Sequence, residues 1–380
     1  MIVTRPPMGW NSWNTFGPDI SEEVVMRSAD AMVENGLLAA GYEYLVIDDC
    51  WSKRVRGADG RLEADPEKFP HGMKYVADYV HSKGLKFGMY SCAGPLTCAR
   101  YPGSFDHEFV DAATFAAWGV DYLKYDYCFH PSTRRGEDLY RRMGVALANC
   151  GRDIVFSGCS WGVEDTKQWM AGTGCHLWRS TGDIHDSWAS IRSIAQAQLP
   201  DQIYGRINCF NDMDMLVVGM YGKGHAALTG CTDEEYRTHF SLWAFLSSPL
   251  MIGCDIRNMS EGARAILLNP EVIAINQDGA GRMAFRIYDG NAGWNDPAQS
   301  FVFGRLMENG DIAIGLFNLA DGACCQHFAA ENLGLAVGTG RTLVLHDVWS
   351  GEDTVMDNEI FQCDVPAHGC RVFRARVVER

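Results

Sequence analysis

Short apolar runs alternate with helix-spaced apolar positions through the first two-thirds of the chain. Residues 44–47 are a compact apolar run that stops at Asp48-Asp49. Residues 85–90, 120–125, 153–156 and 176–178 are similar strand-like runs, and polar residues follow each of them. Between them, Met73, Val76, Ala77 and Val80 recur at the spacing of one helix face, predicting a helix over 73–83. The same periodicity predicts helices over 110–118, 139–148, 188–198 and 234–246. The stretch after the fourth run, Val163-Glu164-Asp165-Thr166, reads as a loop. The predicted strands end near residues 49, 91, 126, 157 and 182. Repeated βα units of this size predict a parallel sheet. An open doubly wound sheet and a closed (β/α)8 TIM barrel both satisfy that rhythm. Polar residues after several different strands favour the barrel, and no GxGxxG follows the first strand to support a dinucleotide fold.

The pattern changes near Met283. Runs at 301–306, 311–318, 341–349 and 371–375 are short and alternating, and Asn309-Gly310, Asp321-Gly322 and Ser350-Gly351 punctuate them. This predicts an antiparallel β-sandwich. The expected organisation is α/β: a (β/α)8 barrel over residues 1–285, then a C-terminal antiparallel β-sandwich domain over residues 286–380.

Composition narrows the chemistry. With 47% hydrophobic and 21% charged residues, the chain has the balance of a folded globular protein. A net charge of −15 disfavours nucleic acid and anionic membrane as partners and suits a neutral or cationic small molecule. Fourteen cysteines in a chain this long read as mostly buried, reduced thiols, because disulfide scaffolds are short and no CxxC or zinc-finger spacing occurs. No apolar signal region opens the sequence and no stretch approaches membrane-span length, so a cytoplasmic location is expected. Self-association into a homo-oligomer stays open.

Carboxylates at strand ends are the main chemical signal. Asp48, Asp49, Asp126 and Asp183 all follow apolar β runs, where an acid is costly unless it is hydrogen-bonded or working. Capping of the following helix or pairing with Arg or Lys is the structural alternative for any one of them. Two carboxylates across a sugar ring suffice for glycoside hydrolysis. Trp10, Trp13, Trp51, Tyr90, Trp161 and Trp178 interleave with the acids and suit pyranose faces, although core packing also uses such residues. Lys124 lies two before Asp126 on the same side of its strand, and Arg179 four before Asp183. Gly158-Cys159-Ser160-Trp161-Gly162 matches the G-x-S-x-G elbow of serine hydrolases, an alternative weakened by the loop-like segment after it. Asp212-x-Asp214 and Asp48-Asp49 could offer oxygens to a cation, but hydroxyl recognition is the favoured reading and no metal or organic cofactor is expected.

Taken in order, longer motifs resemble a known family. Met8-Gly9-Trp10-Asn11-Ser12-Trp13-Asn14, Asp48-Asp49-Cys50-Trp51 and Lys68-Phe69-Pro70-x-Gly72-Met73-Lys74 look like glycoside hydrolase family 27, the α-galactosidases and α-N-acetylgalactosaminidases. Asp121-Tyr122-Leu123-Lys124-Tyr125-Asp126-Tyr127-Cys128 is similar to its nucleophile strand, and Trp178-Arg179-Ser180-Thr181-Gly182-Asp183 to its acid/base segment. Asn211-Asp212-Met213-Asp214-Met215-Leu216 continues the match.

The resemblance implies a retaining double displacement on an α-galactoside. Asp126 would be the nucleophile and Asp183 the acid/base, with Asp183 protonated at the start and Asp126 kept ionised by Lys124. It implies that Asp48 and Asp49 read the sugar's 4- and 6-hydroxyls, and that Lys124, Arg179 and Asp214 hold other hydroxyls. Trp13 and Trp161 would be apolar walls, with Tyr90, Cys98, Cys159, Ser160 and Met215 also on the pocket. Many relatives carry Glu where this chain has Ser160. That residue reads the 2-hydroxyl, so N-acetylgalactosamine stays an alternative, although Val163 would crowd an acetamido group. β-L-Arabinopyranose is a third option, disfavoured by the intact Asp48-Asp49 pair. Cys98 and Cys128 match a family disulfide, whereas Cys50 has lost its usual partner to Gly17-Pro18. A catalytically silent sugar-binding protein on the same scaffold is the non-enzymatic alternative.

Overall fold

The computed structural model describes residues 2–201, 204–287, 296–335 and 338–379. Eight parallel strands form one curled sheet: β1 (Met8–Asn11), β2 (Tyr44–Val46), β3 (Lys86–Cys92), β4 (Tyr122–Asp126), β5 (Val155–Cys159), β6 (Leu177–Arg179), β7 (Phe210–Asp212) and β8 (Leu250–Ile252). They lie in the order β8-β1-β2-β3-β4-β5-β6-β7. The remaining gap is bridged by the segment after β7: Leu216 N–H donates to Met251 O at 2.7 Å, and Gly253 N–H donates back to Leu216 O at 2.9 Å. The predicted barrel is therefore present, with its strands' carboxyl ends on one face.

All five expected strands begin within two residues of their predicted starts. Strands β1, β7 and β8 are not among the expected ones: Met8–Asn11 and Phe210–Asp212 mix polar residues into so few positions that no apolar run stands out, and Leu250–Ile252 lies within a longer apolar stretch. Packing rather than propensity holds β1 in place. A side chain at Gly9 would put its Cβ 2.2 Å from Tyr44 O on β2, so only glycine permits this approach.

The helix over 73–83 is found as Gly72–Ser82, and the four periodic residues are its buried face. Helix Asp233–Phe245 carries the capping box Thr232/Glu235 at its start. Most of its side chains are buried, because one side meets the barrel and the other meets the C-terminal sheet, as in the Phe245–Phe317 contact at 5.5 Å. The segment expected as a loop after β5 instead forms a 3₁₀ turn, Val163–Asp165, and a short helix, Thr166–Trp169.

Beyond the barrel stand β9 (Phe285–Ile287), β10 (Ser300–Leu306), β11 (Ile312–Asn318), β12 (Cys324–Ala329), β13 (Arg341–Asp347), β14 (Asp353–Val355), β15 (Ile360–Val365) and β16 (Cys370–Glu379). Six of them form an antiparallel sheet in the order β9-β10-β11-β16-β13-β14, and β12 pairs with β15. Phe328 and Val365 from the pair close over Val302, Ile314, Leu316 and Leu345 of the larger sheet, the layering of a β-sandwich. Gly310, φ 88°, makes the turn between β10 and β11 that Asn309-Gly310 announces. Arg305 of β10 is buried against the barrel and donates to Ser247 Oγ at 2.8 Å.

Candidate active site

A cavity of about 230 Å³ opens at the carboxyl ends of the barrel strands. Trp13 and Asn14 follow β1, and Asp48 and Asp49 follow β2. Tyr90 comes from β3, Lys124 and Asp126 from β4, and Arg179 from β6. Asp183 lies beyond β6, and Asp214 and Met215 lie beyond β7. Strand ends scattered through the sequence meet here because every parallel strand finishes on the same face.

The floor is a charge network. Asp48 Oδ2 accepts from Lys124 Nζ and Asn11 Nδ2, both at 2.8 Å. Asp49 Oδ2 accepts from Ala99 N–H at 2.9 Å, which aims the carboxylate. Tyr90 OH donates to Asp126 Oδ2 at 3.0 Å. Arg179 Nη2 is shared between Asp183 Oδ1 at 2.9 Å and Asp214 Oδ2 at 2.6 Å. Asp214 adopts a left-handed backbone, φ 79°, and also accepts from Ile184 N–H at 2.7 Å. Strain of this kind persists where surrounding contacts over-determine it.

Burial and charge set the protonation states. Asp126 is only 6% exposed, and burial pushes its carboxyl up to about 6 despite the opposing Lys124 ammonium; the charges of Asp48 and Asp183 add to the rise. Burial likewise raises Asp214 to about 6 against the pull of Arg179, and raises Asp49. Burial acts to lower the Lys124 ammonium, but Asp48 outweighs it and holds the group well above its ordinary value. At Asp183 burial is outweighed by Arg179 and Lys124, so its carboxyl is held below the usual range; its side chain stays 66% exposed. This reverses the expected order for the two carboxyls. A linear sequence shows that Arg179 precedes Asp183, but not that the guanidinium grips it while Asp126 lies on the dry floor.

Three expected pocket residues do not line the cavity. Cys159 lies beneath Arg179, whose Nη1 is 3.7 Å from its thiol. Ser160 is fully buried, its hydroxyl 2.6 Å from Thr166 Oγ1, so it does not present an exposed nucleophile. Trp161 turns toward Tyr127, ring centroids 6.5 Å apart. The backbone here is left-handed at Trp161, Glu164 and Asp165, and Glu164 Oε1 accepts from Tyr127 OH at 2.7 Å. Conversely, Asn14, Ile184, His185, His225 and Ala226 line the cavity without having been singled out for it. Asn14 sits in the one-turn helix Trp13–Phe16 and the other four in irregular connections, so no strand-end pattern marked them. Cys98, on the cavity wall, is disulfide-bonded to Cys128, with its sulfur 3.6 Å from Asp126 Oδ2. Among the described residues these two sulfurs and Asp126 are the one group with metal-compatible spacing, and the disulfide uses both sulfurs.

A sequence-family model described as alpha galactosidase A matches residues 5–278, and one described as the alpha galactosidase C-terminal beta sandwich domain matches residues 299–375. The chain belongs to glycoside hydrolase family 27. An alpha-galactosidase from Cyamopsis tetragonoloba is 42% identical over 369 residues, covering 97% of this chain and 85% of that protein. The crystal structure of alpha-galactosidase I from Mortierella vinacea superimposes with a TM-score of 0.90 at 33% identity, covering 98% of this chain and 97% of that one. The alpha-galactosidase MEL1 from Saccharomyces cerevisiae gives 0.88 at 31% identity, covering 98% of both chains. No helix among the described residues of this family 27 member is long and apolar enough to cross a membrane.

Proposed function

We propose that this protein is a retaining exo-α-galactosidase. One observation carries the reading: Asp126 on the floor and Asp183 at the mouth share a single sugar-sized cavity, with Asp48, Asp49 and Lys124 beneath it. Asp126 attacks the anomeric carbon while Asp183 gives its proton to the departing glycosidic oxygen, leaving a galactosyl ester on Asp126. Asp183 then takes a proton from water, the hydroxide attacks the same carbon, and Asp126 leaves as carboxylate. Asp126 is ionised at neutral pH, as the nucleophile must be, because its carboxyl titrates at about 6.

Asp183 must be protonated for the first step. Arg179 opposes this, and sugar hydroxyls that engage the guanidinium and Asp214 loosen that grip. A pyranose above Asp183 also displaces water and favours the neutral acid. The paired acids Asp48 and Asp49 favour galactose over β-L-arabinopyranose, which has a 4-hydroxyl but no 6-hydroxyl to offer them. Twelve free cysteines, most of them buried, support a reducing, cytoplasmic location, and the Cys98–Cys128 bridge is the feature that weighs for an oxidising one.

A panel of nitrophenyl α-galactoside, α-N-acetylgalactosaminide and β-L-arabinopyranoside tests the substrate. The α-galactoside is expected to give the highest kcat/KM, and leadership by either other sugar overturns the assignment. Asp126→Asn is expected to abolish turnover while the protein stays folded; wild-type rates in that variant would remove Asp126 from the chemistry.

A further inference from the structure

The mouth of the cavity carries a histidine whose position is built rather than incidental. His225 belongs to the connection between the barrel-closing segment and helix Asp233–Phe245. Its N–H donates to Thr15 O at 3.1 Å, and the next residue, Ala226, donates to Asn14 O at 2.9 Å. Both acceptors lie in the turn that carries Trp13. The imidazole stands edge-on to the Trp13 ring, with centroids 4.9 Å apart at 73°. Gly17 makes room for it, since a Cβ there would fall 2.6 Å from His225 Cγ.

The other side of this connection is bolted to the loop of Asp183. Asp186 N–H donates to Ala226 O at 3.0 Å. The Asp186 side chain is fully buried and accepts from Gly222 N–H at 2.7 Å and from Tyr236 OH at 2.8 Å. His225 thus spans the mouth from the Trp13 wall to the Asp183 loop, held by backbone on both sides. Its ring is exposed, lines the cavity, and has no hydrogen-bond partner for either nitrogen among the described residues.

Resting on the galactosidase reading, we infer that His225 is a specificity residue of the leaving-group subsite and hydrogen-bonds a hydroxyl of a second sugar. The acid delivers its proton to the leaving oxygen, so the leaving group departs along Asp183, and Asp183 is the exposed member of the pair. A pre-positioned imidazole with two unengaged nitrogens offers a donor and an acceptor there. The complementary ligand is a saccharide, rich in hydroxyls, rather than an apolar aglycone. Fixing the ring in advance lowers the ordering cost of that contact.

The test compares galactosyl-α-1,6-glucose with nitrophenyl α-galactoside in the wild type, His225→Ala and His225→Gln. In His225→Ala the ratio of kcat/KM for the disaccharide to that for the nitrophenyl substrate is expected to fall about tenfold, through KM, the loss of one hydrogen bond. His225→Gln, which keeps a donor and an acceptor, recovers most of the ratio. The inhibition constant of free galactose, which reports the inner subsite, shifts less than about twofold on the same scale. An unmoved ratio, or a galactose constant that rises as much as the disaccharide KM, overturns the role of His225. A wild-type protein that cleaves neither substrate overturns the galactosidase reading itself.

Discussion

Replacing Asp126 by Asn should destroy turnover and stabilise the fold. In the unfolded chain this carboxyl titrates near 3.8, and in the folded protein at about 6, chiefly because burial disfavours its charge. The fold therefore binds the proton more tightly than the unfolded chain does. Stability falls as pH rises from about 4 through about 6 and then levels off, at a cost of about 3 kcal/mol by pH 7 and about 1 kcal/mol at pH 4.5. Asn removes the charge and still offers an oxygen to Tyr90 OH, which lies 3.0 Å from the carboxylate. Its amide hydrogens enter a buried site beside Lys124, which costs about 1 kcal/mol. The net gain is about 2 kcal/mol at pH 7 and about zero at pH 4.5. For a chain of this size the midpoint of thermal unfolding should rise by about 2–4 °C at pH 7 relative to wild type. Scans of both proteins at the two pH values measure it. No rise at pH 7, or an equal rise at both pH values, would refute the account of a carboxylate held charged at the expense of stability.

Asp183→Ala should lower kcat/KM by about 10²–10⁴ for sugars with poor leaving groups and far less for nitrophenyl galactosides, whose leaving group needs little protonation; equal losses on both would exclude Asp183 as the acid. His346 joins Asp353 at 2.6 Å to Glu271 at 3.1 Å across the two domains, and the Asp353 hydrogen bond leads in raising its imidazole. Its contribution is complete below the ordinary histidine value of about 6.5 and is lost as pH rises through the raised value. The stability difference between wild type and His346→Gln should therefore shrink from pH 6 to pH 9, and a constant or growing difference contradicts this. Gly144→Ala would place a Cβ 1.9 Å from Thr173 O, so it should cost about 3 kcal/mol in denaturant unfolding. Gly172→Ala, whose nearest neighbour is an Arg141 side-chain nitrogen at 4.0 Å, serves as the tolerated control.

Much of the barrel was legible in one dimension because its signals are local. An apolar run that stops at an acid marks both a strand and its carboxyl end, so Asp48, Asp49 and Asp126 could be placed before any fold was known. Period and turn chemistry likewise separated the barrel from the sandwich, since Asn309-Gly310 and its counterparts act over four residues. Tertiary structure alone decided the rest. Strands β1, β7 and β8 exist because neighbours pair with them, as the contact of Gly9 with Tyr44 shows. Ser160 carries the motif of a nucleophile yet is turned inward to Thr166, since a motif does not specify which way a reversing backbone points it. The protonation order of Asp126 and Asp183 depends on solvent exclusion and on one shared guanidinium, and the place of His225 depends on two distant loops meeting. Desolvation, charge pairing and loop contact are sums over neighbours in space, and those neighbours are far apart along the chain.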